Sequence, residues 1–429
     1  YEKLGQTHTA LGDLKQALTY FELETNLFIE LYDAFPNNVS FKNGLAISYE
    51  KLGQTHTALG DLKQALTYFE LETNLFIELY DAFPNNVSFK NGLAISYSKL
   101  GETHTALGDL KQALKYFELE TNLFIELYDA FPNNVSFKNG LAISYEKLGD
   151  THTALGDLKQ ALKYFELETN LFIELYDAFP NNVSFKHGLA ISYSKLGQTH
   201  TDLGDLKQAL TYFELETNLF IELYDAFPNN VRFKNGLAIS YSKLGDTHTA
   251  LGDLKQALKY FELETNLFIE LYDAFPNNVS FKHGLAISYS KLGQTHTDLG
   301  DLKQALNYFE LDADLSKELY DAFPNNVSFK NGLAISYSKL GETHTALGDL
   351  KQALKYFEVR SNLGKELYDA FPNNVSFKNG LAISYFKLGV FYRNQKQSDQ
   401  ARPYFEQAVA LWAELVQDAP LVVAYQRFL

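Results

Sequence analysis

Apolar side chains recur along this chain at three- and four-residue steps in stretches of about twenty residues, the spacing of one face of an α-helix. In a representative stretch, Phe41, Leu45, Tyr49, Leu52, His56 and Leu59 form one stripe, which predicts a helix A over about Val39 to Leu59 that ends at Gly60. A second stripe, Leu62, Ala65, Phe69, Phe76, Leu79 and Phe83, predicts a helix B opened by Asp61 in a capping box with Gln64 and stopped by Pro84. Asn85-Asn86 then caps the next helix A. No stretch alternates with period two between turn signals, so strands are not expected and the class is all-α. Asn43-Gly44 falls inside helix A. The spacing carries the helix through it, the glycine allowing close approach of a neighbouring helix, and a kink is the alternative.

The whole pattern repeats. Tyr1, Tyr49, Tyr97, Tyr145, Tyr193, Tyr241, Tyr289, Tyr337 and Tyr385 open nine repeats at a 48-residue period, the first two of them identical. Such a period implies a solenoid whose units pack on their neighbours, so boundaries inside residues 1–384 would be artificial. Residues 385–429 depart: Tyr392 replaces the recurrent histidine, Lys396 the terminal glycine, Pro403 enters helix B, and Trp412 is the only tryptophan. A terminal repeat must present a different outer face, which makes this ninth repeat a cap or a junction to a further domain. Leu429 falls where another helix A would be under way, and the chain opens at Tyr1 with no methionine anywhere. The sequence is therefore expected to be an excerpt of something longer.

Tyr1-x2-Leu4-Gly5-x2-His8, followed by Ala17-x3-Phe21 and later Pro36, resembles the tetratricopeptide repeat signature, whose usual period is about 34 residues. The extra residues fall as about seven between Phe21 and Pro36 and about seven between Pro36 and Tyr49, at one end of the helical hairpin. Seven residues turn a helix by roughly 700°, close to two full turns, so the stripe keeps its direction while each helix grows by roughly 10 Å. The chain looks like the 48-residue-period arrays of bacterial proteins, often joined to signalling ATPase, caspase-like or TIR modules. The resemblance implies a right-handed α-solenoid of antiparallel helix pairs, each longer than usual, and protein or peptide binding in the groove lined by helix A. The carboxylate clamp of chaperone-binding members pairs lysine and asparagine four residues apart on that helix. Here Lys42 is followed by Ala46 and Lys51 by Thr55, so chaperone-tail binding is not expected.

Composition narrows the alternatives. A net charge of −16 without a basic stripe disfavours nucleic acid and anionic lipid, and no run approaches the roughly 18 apolar residues of a membrane span. The absence of cysteine removes disulfides and thiolate metal sites without selecting a compartment, although a cytoplasmic location is slightly favoured. His8, His56 and their equivalents continue the apolar stripe. Stacked repeats would hold them roughly 8–10 Å apart against the 2.0–2.1 Å of a zinc–ligand bond, so they read as packed side chains. Glu22, Glu24, Glu30 and Asp33 read as a solvated charged face rather than a hydrolytic pair. Asn38-Val39-Ser40 reads as a helix cap rather than a glycosylation acceptor. No enzyme activity and no cofactor are expected.

Most of each repeat is constant, and the differences map to Asn43, Glu50, Gln54 and Ala58 of one helix, on the face opposite Leu45, Tyr49 and Leu52. The candidate groove residues are Glu2, Gln6, Glu50, Gln54, Ser98, Glu102, Glu146 and Asp150, then His187, Ser194, Gln198 and Asp202, then Ser242, Asp246, His283, Gln294, Asp298 and Glu342. Drift at exposed positions between young duplicates accounts for the same spread. As a groove, the face is locally acidic, moderated by the Lys42 and Lys51 series, and is expected to prefer basic or neutral peptides. On helix B, Ile29, Ile77, Ile125, Ile173, Ile221 and Ile269 share a column with lysine and glutamate. They form either an exposed row for self-association or a contact with an adjacent repeat. The expected function is a scaffold binding a peptide or protein, as the sensor or regulatory arm of a larger bacterial protein. The alternative is a structural protomer that forms homo-oligomers, fibres or tubes.

Overall fold

A computed structural model describes residues 1–418, which form eighteen α-helices and, among the described residues, no strand. Leu429 and the end of the ninth repeat lie outside the described residues. The chain divides into two bodies, residues 1–219 and 220–429, with the division inside α10. The first body holds α1 (Glu2–Ala10), α2 (Leu14–Ala34), α3 (Val39–Ala58), α4 (Leu62–Ala82), α5 (Val87–Ala106), α6 (Leu110–Ala130), α7 (Val135–Ala154), α8 (Leu158–Ala178), α9 (Val183–Asp202) and the start of α10 (Leu206–Ala226). The second holds the rest of α10, α11 (Val231–Ala250), α12 (Leu254–Ala274), α13 (Val279–Asp298), α14 (Leu302–Ala322), α15 (Val327–Leu347), α16 (Leu350–Ala370), α17 (Val375–Asn394) and α18 (Ser398–Asp418). Odd-numbered helices are helix A of a repeat and even-numbered ones helix B. Short turns join them into antiparallel pairs stacked as a solenoid within each body.

The boundaries follow from local chemistry. Asn38 Oδ1 accepts from the backbone N–H of Ser40 and Phe41 at 3.0 and 3.2 Å, capping α3. Asp61 Oδ1 accepts from Gln64 N–H at 3.2 Å. The reciprocal half of the expected capping box is absent, because the Asp61 N–H donates instead to His56 O at 2.9 Å. That bond closes the end of α3 across Gly60, whose φ of +82° is the left-handed conformation that glycine adopts at little cost. Phe83, expected on the buried stripe, is 43 % exposed. It is the C-cap of α4, with a non-helical φ of −137°, so helical spacing no longer aims its ring, which tilts against Phe89 at 5.9 Å. Helix A runs unbroken through Asn43-Gly44.

The reason lies in two phenylalanine–glycine contacts in each of repeats one to six. Within a pair, the ring of Phe69 on α4 lies so close to Gly53 on α3 that a methyl built there would stand 2.5 Å from its Cε1. Between pairs, Phe124 on α6 meets Gly140 on α7 at the same 2.5 Å. Glycine lets each ring touch helix backbone, and the rings then sit in small clusters shared by consecutive repeats, such as Ala17, Phe21 and Leu52 with Tyr49 and Tyr68 around them. Burying each phenylalanine contributes about 1.5–3 kcal/mol, more than the roughly 1 kcal/mol a mid-helix glycine costs.

The contact predicts opposite outcomes for one substitution at two equivalent glycines. Gly140→Ala forces the Phe124 ring to move and should lower stability by about 1–3 kcal/mol. Gly332, which a methyl could occupy with no atom within 4 Å, should gain about 0.5–1 kcal/mol as alanine. Urea midpoints of the two variants measure the contrast; a loss of stability in both would contradict it.

Candidate functional site

The helix-A face that varies between repeats carries an apolar row that the sequence reading passed over. Ile47 lies four residues after Asn43 and three before Glu50, hence on the same face. Ile47, Ile95, Ile239, Ile287 and Ile335 are all at least 36 % exposed, Ile335 reaching 48 %. The signal was present in the spacing, but comparison between copies cannot register a constant residue. Around the row, Glu2, Gln6, Gln54, Glu102, Asp150, Gln198, Asp202, Asp246, Asp298 and Glu342 are exposed. Glu50, Glu146, His187, Ser194, Ser242, His283 and Gln294 are half-buried. Ser98 is instead buried, with the Lys147 ammonium of the next repeat on its hydroxyl.

Five acids of this face are paired with lysine. Lys51 pairs with Glu2 at 2.7 Å in the preceding repeat, Lys147 with Glu102 at 2.9 Å, Lys195 with Asp150 at 2.5 Å and Lys291 with Asp246 at 2.6 Å. Lys339 likewise bonds Gln294, and Lys387 bonds Glu342. In these copies a constant lysine reaches back to the variable position of its neighbour and moderates the local negative charge, while Glu50, Asp202 and Asp298 are bonded to the side-chain amides of Gln54, Gln198 and Gln294. A second ladder, with Lys90 and Glu126 at 2.7 Å, and Lys330 and Glu366 at 2.9 Å, ties helix A to helix B within a helix pair.

Beneath the lysines lies a row of carboxyls that the sequence reading placed in solvent. Glu24 and its equivalents Glu72, Glu120, Glu168 and Glu264 are buried, Glu168 completely. Each sits one turn before the Phe28-type ring, so it is held between consecutive pairs. Charge alone had assigned it outward, whereas the lengthened hairpin covers that face. Glu120 keeps Lys147 at 3.4 Å, yet both Glu168 oxygens lack a protein partner. Burial is the main cause that pushes the Glu120 and Glu264 carboxyls up to about 7 and those of Glu72 and Glu168 well above the usual range. Repeat seven has Asp312 here, raised to about 6 by burial, and repeat eight has Arg360.

Each recurrent histidine is packed on a tyrosine of helix B, as His56 on Tyr68 with ring centroids 5.4 Å apart. Ile29, Ile77, Ile125, Ile173, Ile221 and Ile269 are half-buried rather than open, which reduces the apolar area they offer to a second chain. Among the described residues, no helix is long and apolar enough to cross a membrane.

A face of this kind, repeated along stacked helix pairs, defines a helical-repeat interaction scaffold. Family profiles described as tetratricopeptide repeat match residues 46–71, 94–119, 142–167, 190–215, 238–263, 285–325 and 382–411, and the chain belongs to the tetratricopeptide repeat family. A search of the curated proteins finds no match. Among solved structures, the apo form of RapI is similar with a TM-score of 0.58 at 12 % identity, over 96 % of each chain. PH0952 from Pyrococcus horikoshii, a signal transduction ATPase with numerous domains and a tetratricopeptide repeat sensor, gives 0.55 at 12 % identity over 97 % of this chain and 54 % of that one. The nearly identical repeats of a Podosopora anserina kinesin light chain give 0.41 at 14 % identity over 53 % of this chain and 97 % of that one.

The buried carboxyls make stability depend on pH. With a folded-state pKa of about 7 against an ordinary 4.5, Glu120 and Glu264 contribute stability that is fully present below about pH 4.5 and lost as pH rises through 7. The urea midpoint should therefore fall between pH 5 and pH 8, and the combined Glu120→Gln and Glu264→Gln variant should show a shallower fall. An unchanged slope in that variant would refute the assignment.

Proposed function

We propose that this chain is a non-catalytic scaffold whose helix-A face holds an extended segment of a partner protein. The observation that carries the proposal is the exposed isoleucine row, flanked by lysines already engaged with acids of the same face. In the second body, Ile239, Ile287 and Ile335 recur once per repeat and offer a series of apolar footholds, which suits a peptide lying along the stacked helices. Because the neighbouring charges are paired, discrimination rests on apolar contact more than on net charge. Neutral segments with branched aliphatic residues are the preferred class, and basic ones are tolerated. The long PH0952 neighbour, with its repeat sensor, supports a further step in which such an array serves as the sensing arm of a larger protein.

Short random peptides displayed on phage and panned on the protein test this reading. Enriched sequences should carry branched aliphatic residues, and fluorescence polarisation should show their affinity falling by about tenfold in the Ile287→Asp, Ile335→Asp variant, the equivalent of losing about 1.4 kcal/mol of apolar burial. Both side chains are exposed, so the fold should persist. Failure to enrich any peptide, or equal affinity for the variant, would place recognition elsewhere.

A further inference from the structure

In repeats one to six, helix B presents a phenylalanine to the glycine of the next helix A, and one turn earlier a buried glutamate. Repeat eight changes both at once. Gly364 stands where the ring would be and Arg360 where the glutamate would be, four residues apart and so on one face of α16. With the ring gone, a methyl built on Gly380 of α17 would meet no atom within 4 Å. The space becomes a cavity of about 260 Å³ lined by Arg360, Gly364, Gly380, Ile335, Ile383 and Ser384, among others. Ile335 belongs to the exposed row, so the cavity opens into the proposed groove.

Arg360 is only 8 % exposed. Its Nη1 donates to Ser384 Oγ, its Nε has no partner, and it forms no ion pair among the described residues. A buried guanidinium without a counter-charge is costly, and burial pushes its pKa down to about 10. Glu342, the acid that acts on it through space, is bonded to Lys387. The Lys387 ammonium is itself held below its ordinary range by burial, with Arg360 and Lys339 adding to the effect despite Glu342. The neighbourhood thus carries more positive than negative charge around an unused donor.

We infer that this pocket is a carboxylate-binding site, in which Arg360 receives the acidic group of a peptide lying in the groove. The guanidinium offers a planar donor edge matched to a carboxylate, while Ile335 and Ile383 wall an aliphatic stem. A single fixed charge in a partly apolar cell suits a monoanion better than a phosphate dianion. The donor comes from helix B, in space vacated by a ring, and no lysine–asparagine pair on helix A takes part. The inference rests on the groove reading only for the peptide that carries the group.

Three short peptides with flanking isoleucines test it: one N-acetylated and C-amidated with a single glutamate, its glutamine counterpart, and the glutamine peptide with a free C-terminal carboxylate. The glutamate peptide should bind at least tenfold more tightly than its glutamine counterpart and shift the Arg360 Nε–H resonance. That advantage should vanish in Arg360→Gln and in Gly364→Phe, which restores the ring of the other repeats. The double variant Arg360→Glu, Gly364→Phe gives repeat eight the residues of repeats one to six at both places and serves as the folded control. Tighter binding of the free-carboxylate peptide alone, with the same resonance shift, supports the site and assigns it to a chain end. Equal affinity of all three peptides for the unmodified protein, or an advantage that survives both single variants, overturns the site. Equal and measurable affinity would leave the groove reading standing, and that reading fails separately in the Ile287, Ile335 experiment.

Discussion

The close approach of a phenylalanine ring to a backbone glycine is the contact on which the rest of this molecule depends. In repeats one to six it occurs twice, once inside the helix pair, as with Phe69 on Gly53, and once between pairs, as with Phe124 on Gly140. A glycine in mid-helix weakens the helix by itself, so it is sustained by what the missing side chain permits: a large ring lying flat on helix backbone, surrounded by its neighbours' leucine and tyrosine side chains. The same contact at the same spacing makes the interfaces of repeats one to six alike. Near-identical copies can therefore stack without individual adjustment, each supported by the repeats beside it.

Polar chemistry is arranged around that contact. The lysines of helix A reach back to an acid or amide of the preceding repeat, and some also cover the buried glutamate one turn from the ring, as Lys147 covers Glu120. Exposed ion pairs of this kind add little stability singly. Their larger effect is to moderate the negative charge of the helix-A face around its exposed isoleucines. Where the ring is lost, in repeats seven and eight, the buried acid changes with it. Ser316 accompanies Asp312 above a cavity of about 420 Å³, and Gly364 accompanies Arg360. The ring and the acid share one cell of the structure, so changing one alters the space and the dielectric around the other.

Much of this was legible from spacing. Helix A and helix B, their asparagine and aspartate caps, the passage of helix A through Gly44 and the repeat family all follow from periodicity and punctuation. The candidate site was legible only in part. Comparing copies found Glu102, Asp150 and Asp246, because they vary, and missed Ile95 and Ile287, because they do not. Glu24 and its equivalents were assigned to solvent because a carboxylate on a helix is usually solvated. Phe83 was assigned to the core because a phenylalanine at helical spacing usually is buried, although its place at the cap takes it out of the helical register.

By itself, then, the sequence determined the elements and their order, since helix period, capping and turn chemistry act within a few residues and are written out in the chain. Only the tertiary structure decided which charges are buried, which lysine meets which acid, and where a lost ring becomes a pocket. Those outcomes depend on residues about 20 to 50 positions apart, such as Arg360 with Ser384 or Lys147 with Ser98, that stacking of the repeats brings together. Burial and pairing are properties of that shared space, and no single segment of the chain contains it.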